Sequence, residues 1–560
     1  MAQISDLPSE LVEQILSYLT QPSLYALSCV SRSLYVISIP YLYSDVDLLI
    51  PDPQLVPRVD RILFNILEKP YLAGHVKSLQ VGVAPGVAVA YRRRCFPKDG
   101  GDQHQINYEK AMAFVDRMPL IPDRSDMEEP IFANDYGAYS ALLLLALPSV
   151  QRVTLTDDSS ESIRPIRDIL SRLDAEEFLN RLQGTSYFTS IKEVAINVDK
   201  TSGTRCHPRS PNTVWQALGL PNIERLEFTV LTNDWSELFS RRRRLGFGAN
   251  INYTFRTTAI TSIVIRHTRH LSGSLRGVIQ GTPQLRSLTC EMYCDLSESE
   301  VQALPNAFNR SWIALIDLNT DLTTAKYTLE TLVLSVELCH GNNRFFQQPD
   351  IRKYFNGHLD LRGFVRLHTL EVPVPFLTGD PTFWDSECLL PESLRHLTLR
   401  TDMSRAQFPY PWDTSTLPAG LSYTESLEEK THLDGARMDM SLIYRIALDL
   451  VDQHHHHLES MALWQPPDPS LEIFGDQLRD FAVSCRNKGM TAKAIYPLLM
   501  RWREARHWDL VREVTLFDRY HPAGEKFGRL FRGDRQGIPL GLATQYHLIE
   551  IKQGRVRKRR

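Results

Sequence analysis

LPNIERLEF, residues 220–228, is the stretch whose reading decides how most of this chain folds. Ile223, Leu226 and Phe228 take the first, fourth and sixth places of a six-residue phrase whose second and third places are polar. Side chains alternate across a strand, so Leu226 and Phe228 point to one face and Arg225 and Glu227 to the other. Pro221 lies just before the phrase and marks a turn. TVWQALGL (213–220), before that, reads as a helix. The local unit is helix, proline-containing turn, short strand.

The phrase recurs along the chain. It reads VKSLQV at Val76, VQRVTL at Val150, IKEVAI at Ile191, ITSIVI at Ile260, LRSLTC at Leu285 and LETLVL at Leu329. It continues as LHTLEV at Leu367, LRHLTL at Leu394, LESMAL at Leu458 and VREVTL at Val511. Apolar residues at their average frequency generate a comparable template on the order of eight times by chance, so the count alone decides nothing. The context decides it. Proline precedes four copies, at Pro148, Pro221, Pro283 and Pro391. Helical segments precede several, including YSALLLLAL (139–147), SLRGVIQG (274–281) and SLIYRIALDLV (441–451). This repeated unit, with its LPxLxxLxL lead-in, resembles a leucine-rich-repeat solenoid. The array is degenerate. Ile260 to Leu285 and Leu367 to Leu394 are regular repeat lengths, whereas Val76 to Val150 and Leu394 to Leu458 imply insertions. The turn asparagine of regular repeats is mostly missing.

The N-terminus follows another rule. In DLPSELVEQILSYL (6–19), Pro8 suits the first turn of a helix, and Leu11, Ile15, Leu16 and Leu19 form one apolar stripe. Thr20, Gln21 and Pro22 end that helix. A second apolar segment runs from Leu24 to Val30, and SRSLYVISIPYLY supplies a third that stops near Pro40. Three such short helices bury too little surface to stand alone, so the unit needs a neighbour or a partner.

LPSELVEQILSYL, SLYALSCVSRSLY and IPYLYSDVDL together resemble an F-box. Leu7-Pro8, Ile15-Leu16, Leu19, Leu24 and Val30-Ser31-Arg32 fall where that family has them. The family's frequent tryptophan after the third helix's basic residue is replaced by Leu34 and Tyr35. The resemblance implies docking on a Skp-type adaptor, and through it on a cullin scaffold. The residues implied are Leu7, Pro8, Leu11, Ile15, Leu16, Leu19, Leu24, Leu27 and Val30. The fold class expected is therefore α/β: an F-box over 1–46, then an irregular leucine-rich-repeat solenoid over 47–530 with alternating helices and short parallel strands. A C-terminal segment with a basic tail occupies 531–560.

In a solenoid, the polar strand positions line the concave face, where such proteins usually bind. Those positions supply Arg152, Arg225, Arg266 and Arg400, and also Glu193, Glu227, Glu291, Glu371 and Glu513. Late copies add Trp464 and Phe517. Mixed charge with aromatics suits a protein target better than a polyanion. The candidate target-binding residues are Arg225, Glu227, Arg266, Glu291, Glu371, Arg400, Trp464 and Phe517.

Bulk properties exclude other classes. The formal net charge of −3 across 560 residues provides no field for nucleic acid or a membrane surface. The longest apolar run, ALLLLAL (141–147), is far below a bilayer span. Asp6 and Glu10 stand where a signal peptide needs basic residues and then an apolar stretch, so the protein is expected inside the cell, in cytoplasm and/or nucleus. The eight cysteines contain no C-x-x-C pair and read as free thiols of a reducing compartment. His454–His457 is a solvated turn, because adjacent residues do not share a face and cannot close a tetrahedral site. Arg241–Arg244 reads as a loop tip, and GRVRKRR (554–560) as a short basic tail. No phosphate-binding glycine loop, H-E-x-x-H or G-x-S-x-G is present, and no cofactor or catalytic residue is predicted.

The expected function is that of a non-catalytic substrate receptor in a ubiquitin ligase of the SCF type. An F-box scaffold or assembly factor is the alternative. A metal-dependent enzyme using the histidine tract with Cys206-His207 or Cys339-His340 is a remote one.

Overall fold

Each copy of the phrase from Val76 to Leu458 becomes a strand with its three apolar places buried, as in Ile223, Leu226 and Phe228, or Leu394, Leu397 and Leu399. The period-two pattern thus translates directly into a core face and an outer face. The computed structural model describes residues 7–52, 54–84, 94–97, 100, 102–119, 121, 123–156, 165–166, 169, 188–197, 220, 222–229, 259–268, 275–295, 313–339, 355–379, 390–404, 427–454, 457–465, 475–497 and 511–521. The chain divides into two compact units, Met1–Thr229 with Asn252–Ile260 and Val230–Ile251 with Thr261–Arg560.

The first unit begins with three helices, α1 (Ser9–Ser17), α2 (Gln21–Ser28) and α3 (Arg32–Ser44). Pro8 sits at the N-cap of α1, one place before the helix, and its carbonyl accepts from Leu11 and Val12 N–H at 3.1 Å. Pro22 opens α2 instead of ending α1. Ser31 caps α3 by accepting from Leu34 N–H at 3.2 Å. Pro40 does not end α3, contrary to the sequence reading; the helix runs through it to Ser44. Ser38 and Ile39, just before the proline, are buried, and α3 packs on the turn at Pro70–His75.

Five parallel strands follow in chain order: β1 (Asp45–Ile50), β2 (Ser78–Val83), β3 (Arg152–Thr156), β4 (Glu193–Asn197) and β5 (Arg225–Thr229). Asp45, Ser78, Arg152, Glu193 and Arg225 stand in one row across them. Helix α4 (Val59–Glu68) and a 3-10 turn (Pro70–His75) connect β1 to β2. The long gap before Val150 holds α5 (Asp102–Val115), α6 (Ser125–Phe132) and α7 (Tyr136–Leu145). All ten residues of α7 are buried, and Asp135 caps it by accepting from Ala138 N–H at 2.8 Å. The Tyr136 hydroxyl is inserted between β1 and β2. It accepts from Gly82 N–H at 2.8 Å and donates to the Leu48 carbonyl at 2.7 Å. Gly82 has φ +118°, and a Cβ there would fall 1.7 Å from the Thr156 carbonyl oxygen, so the splice requires glycine.

In the second unit, β6 (Ser262–Thr268), β7 (Ser287–Asp295), β9 (Thr331–Cys339), β11 (Thr369–Pro373), β12 (His396–Arg400), β13 (Ser460–Trp464) and β14 (Thr491–Pro497) are parallel neighbours in that order. Their helices include α8 (Leu275–Gly281), α9 (Leu315–Leu322), α10 (Val374–Thr378), α11 (Leu427–His454) and α12 (Gly475–Asn487). A separate two-stranded pair joins β8 (Ile313–Ala314) to β10 (Phe355–Asn356). One strand departs from the expected topology. VREVTL forms β15 (Val511–Phe517), which runs antiparallel to β14. Only about a dozen residues separate Pro497 from Val511, the lower limit for a parallel crossover. The architecture is mixed α/β, with N-terminal helices and long runs of parallel strands compatible with a repeat solenoid.

Candidate functional site

The three N-terminal helices divide their apolar residues between an interior and an outer surface. Leu16 and Leu24 are buried, and Leu19 and Leu27 are half-buried. Leu7, Leu11, Ile15 and Tyr18 are exposed, spaced by four, four and three residues along the start of the chain and α1. Tyr25, Val30, Tyr35, Val36 and Ile37 extend the exposed apolar set over α2 and α3, with Tyr18 at 80%, Val30 at 69% and Val36 at 62%. So many large apolar groups in about thirty residues far exceed the singly scattered ones of an ordinary surface. Helix α1 packs on α3, and Leu16 is buried while Ile15, its neighbour, and most of the stripe stay outside.

Leu16 and Leu24, named from the sequence as adaptor contacts, are buried within the chain itself. Periodicity groups them with Ile15 and Leu11, but one edge of the stripe is used by the unit itself. Leu7, Pro8, Leu11, Ile15 and Val30 are open to a partner. Tyr18, Tyr25, Val36 and Ile37 join them, which the sequence reading did not nominate; aromatic and β-branched residues on the outer arc of the same helices were the signal.

The outer strand face differs from the sequence expectation in one respect: its charges largely pair with each other. In the first unit, Arg152 bonds Glu193 at 2.7 Å across neighbouring strands, and Arg225 lies 3.8 Å from Glu227. One place earlier, Lys192 meets Glu224 at 2.8 Å. In the second unit, Arg266 meets Glu291 at 2.7 Å, Arg395 meets Glu459 at 2.6 Å and Lys493 meets Glu513 at 2.8 Å. Opposite charges on adjacent strands hold register while cancelling field.

Arg400 and Trp464, nominated for a target, are buried. Arg400 Nε donates to Asp402 at 2.7 Å, its Nη1 donates to Glu371, and its guanidinium lies 4.0 Å from the Trp464 ring centre. Asp402 also accepts from Val336 N–H at 2.9 Å, so one cluster ties β9, β11, β12 and β13. Trp464 packs with Ala462 and Ile495. Alternation set the face of these side chains correctly, but not their depth. Phe517 is half-buried, and Arg225 is the most open of the nominated charges.

Among the described residues, no three His, Cys, Asp or Glu side chains are grouped to hold a metal ion, and no helix is long and apolar enough to cross a membrane. Cys29 and Cys95 are exposed, whereas Cys290 and Cys485 are buried. Burial pushes the Cys485 thiol up to about 12 and the Cys290 thiol well above its ordinary range, which disfavours the reactive thiolate at both. Arg241–Arg244, Cys206, His207, His340, His455, His456 and residues 531–560 lie outside the described residues.

Compared with curated proteins, the chain gives no match. Against family models, residues 4–49 match F-box-like, so the segment that bears the exposed apolar surface is an F-box-like domain.

Proposed function

We propose that this protein is a non-catalytic substrate receptor of an SCF-type ubiquitin ligase. The observation that carries the reading is the open stripe of Leu7, Leu11, Ile15 and Tyr18 inside the F-box-like segment. It is an unpartnered apolar helix surface of the kind a Skp-type adaptor covers. Through that adaptor a cullin scaffold and its enzymes are recruited, in the cytoplasm or nucleus. The parallel-strand region then holds a protein target for ubiquitin-dependent degradation. Chemistry belongs to the partners, and the receptor contributes proximity, raising the effective concentration of a target lysine near the charged carrier.

The strand faces favour a protein target over nucleic acid, because their arginines and lysines are largely neutralised by neighbouring carboxylates. The direct test is co-purification of the full-length chain with a Skp-type adaptor. Capture is expected for the native chain and is expected to fall at least tenfold for a Leu7→Ser/Pro8→Ser variant. A native chain that brings down no adaptor would remove the proposal.

A further inference from the structure

The third place of the six-residue phrase is mostly charged in the first unit, with Arg152, Glu193 and Arg225 in one row. In the second unit the same place carries hydroxyls. Ser262, Ser287, Thr331, Thr369, His396 and Ser460 stand level in register on β6, β7, β9, β11, β12 and β13. His396 is exposed and the others are half-buried. Among the described residues, the hydroxyls of Ser262, Ser287, Thr331 and Thr369 make no hydrogen bond within the chain. Ser460 Oγ is joined to the His396 imidazole at 2.9 Å. Two places further along the strands, Thr289 and Thr398 add half-buried hydroxyls to the same face, beside half-buried Val333. Four places along, Ser335, Arg400 and Trp464 are buried, so the face is open along the hydroxyl row and closed beyond it.

The cations that border this row are already engaged. Arg266 meets Glu291, Arg286 lies 3.8 Å from Glu330, and Arg395 meets Glu459. Arg400 is held by Glu371 and Asp402, and Lys493 by Glu513. These are the arginines and lysines described on the strands of the row, on β14, or in the place just before each. Burial holds the His396 imidazole below its ordinary range, so it too is uncharged at neutral pH. A phosphorylated or acidic ligand needs unspent cations. A neutral polar ligand needs what the row provides, because each hydroxyl can both donate and accept.

Neighbouring strands lie about 4.8 Å apart, so the row from Ser262 to Ser460 spans about 24 Å. An extended polypeptide rising about 3.4 Å per residue covers that length with about seven residues. We propose that the hydroxyl row is the track that reads the target, and that its occupant is an extended, uncharged, unphosphorylated protein segment. Main-chain amides and Ser, Thr, Asn or Gln side chains of that segment exchange hydrogen bonds with the row. Phosphorylating the segment would set its charge against Glu330, Glu371 and Glu459, so modification releases the target instead of marking it. The inference rests on the receptor reading above for calling the segment a target, and not for the binding itself.

The test pans a phage-displayed library of random peptides on the full-length chain and measures the affinity of a synthetic copy of the most enriched sequence. Enriched peptides are expected to be uncharged and polar, and a tenfold rise in NaCl is expected to change the affinity less than twofold. A copy carrying one phosphoserine is expected to bind at least tenfold more weakly. Thr331→Val/Thr369→Val keeps the side-chain volume and removes two hydroxyls. It is expected to weaken binding at least tenfold at an unchanged urea midpoint, whereas Thr331→Ser/Thr369→Ser retains most of the affinity. Enrichment of acidic peptides, equal or tighter binding of the phosphorylated copy, full affinity in the valine variant, or no enrichment at all overturns the proposal. Adaptor capture, measured on the same preparations, is expected to be equal in the three proteins. Its absence from all of them removes the receptor reading while the peptide result still decides the track.

Discussion

The Arg400 guanidinium stacks 4.0 Å from the centre of the Trp464 ring, on the neighbouring strand, with Glu371 and Asp402 closing around it. A side chain that sequence periodicity offers to a partner is thus enclosed within the sheet's own outer layer. Breaking a buried ion-pair network strands the remaining charges, so Arg400→Ala is expected to cost about 3 kcal/mol of stability. Urea unfolding checks this. Adaptor capture by the folded variant is expected to match that of the native chain, because Arg400 lies in the other compact unit.

The Tyr136 hydroxyl stands in the β1–β2 ladder in place of a direct strand-to-strand bond. Tyr136→Phe leaves Gly82 N–H and the Leu48 carbonyl buried without that hydroxyl, a loss of about 2 kcal/mol. Gly82→Ala is expected to be worse than Tyr136→Phe, since its new Cβ meets Thr156 backbone at 1.7 Å. Thermal denaturation of the two variants gives the order.

Stability should fall on mild acidification. Burial holds the His396 imidazole below its ordinary range, outweighing the opposing pull of Glu459. A group with a depressed folded value binds its proton more readily in the unfolded chain. Its contribution is therefore present above the unfolded value, about 6.5, and is lost as pH falls through the folded one. Glu459, lowered by its bond to Arg395, also loses stability as pH falls, at more acidic values. Unfolding midpoints between pH 7 and 5 are expected to decline in the native chain and to flatten in His396→Gln.

Thiol reactivity offers a test of burial. A maleimide probe under native conditions is expected to modify Cys29 and Cys95 within minutes, and to reach Cys290 and Cys485 only after unfolding. Peptide mapping by mass spectrometry reads both classes in one experiment.

Much of the fold was legible because three buried apolar places per strand leave a period-two trace. Val153, Leu155, Ile263, Ile265, Leu397 and Leu399 all sit where that trace puts them. Strand β14 was missed because its core places are Ala492 and Ala494, preceded by Gly489, too small to stand out. Strand β1 was missed because α3 occupies the place where its phrase should begin, at Tyr43. The orientation of β15 depends on connection length, which the phrase does not encode. In the candidate site, Leu16 and Ile15 differ by one step on the same helix, and only the packing of α1 on α3 shows which is spent inside. Depth on the strand face is likewise a property of neighbours: Arg400 is enclosed by Trp464, Glu371 and Asp402, which come from three separate stretches of the chain or from beyond the strand end.

The central claim is that the exposed arc of the N-terminal helices is an adaptor surface. Ile15→Asp places a charge on that arc without touching the interior, whereas Leu16→Ala hollows the interior and is expected to cost about 3 kcal/mol in the stability of the helical unit. The most direct measurement is the calorimetric affinity of the full-length native chain and of Ile15→Asp for a purified Skp-type adaptor. The account predicts tight binding by the native chain and at least a hundredfold loss for Ile15→Asp, with the two proteins unfolding at the same urea concentration. Equal affinities, or no binding by the native chain, would contradict it.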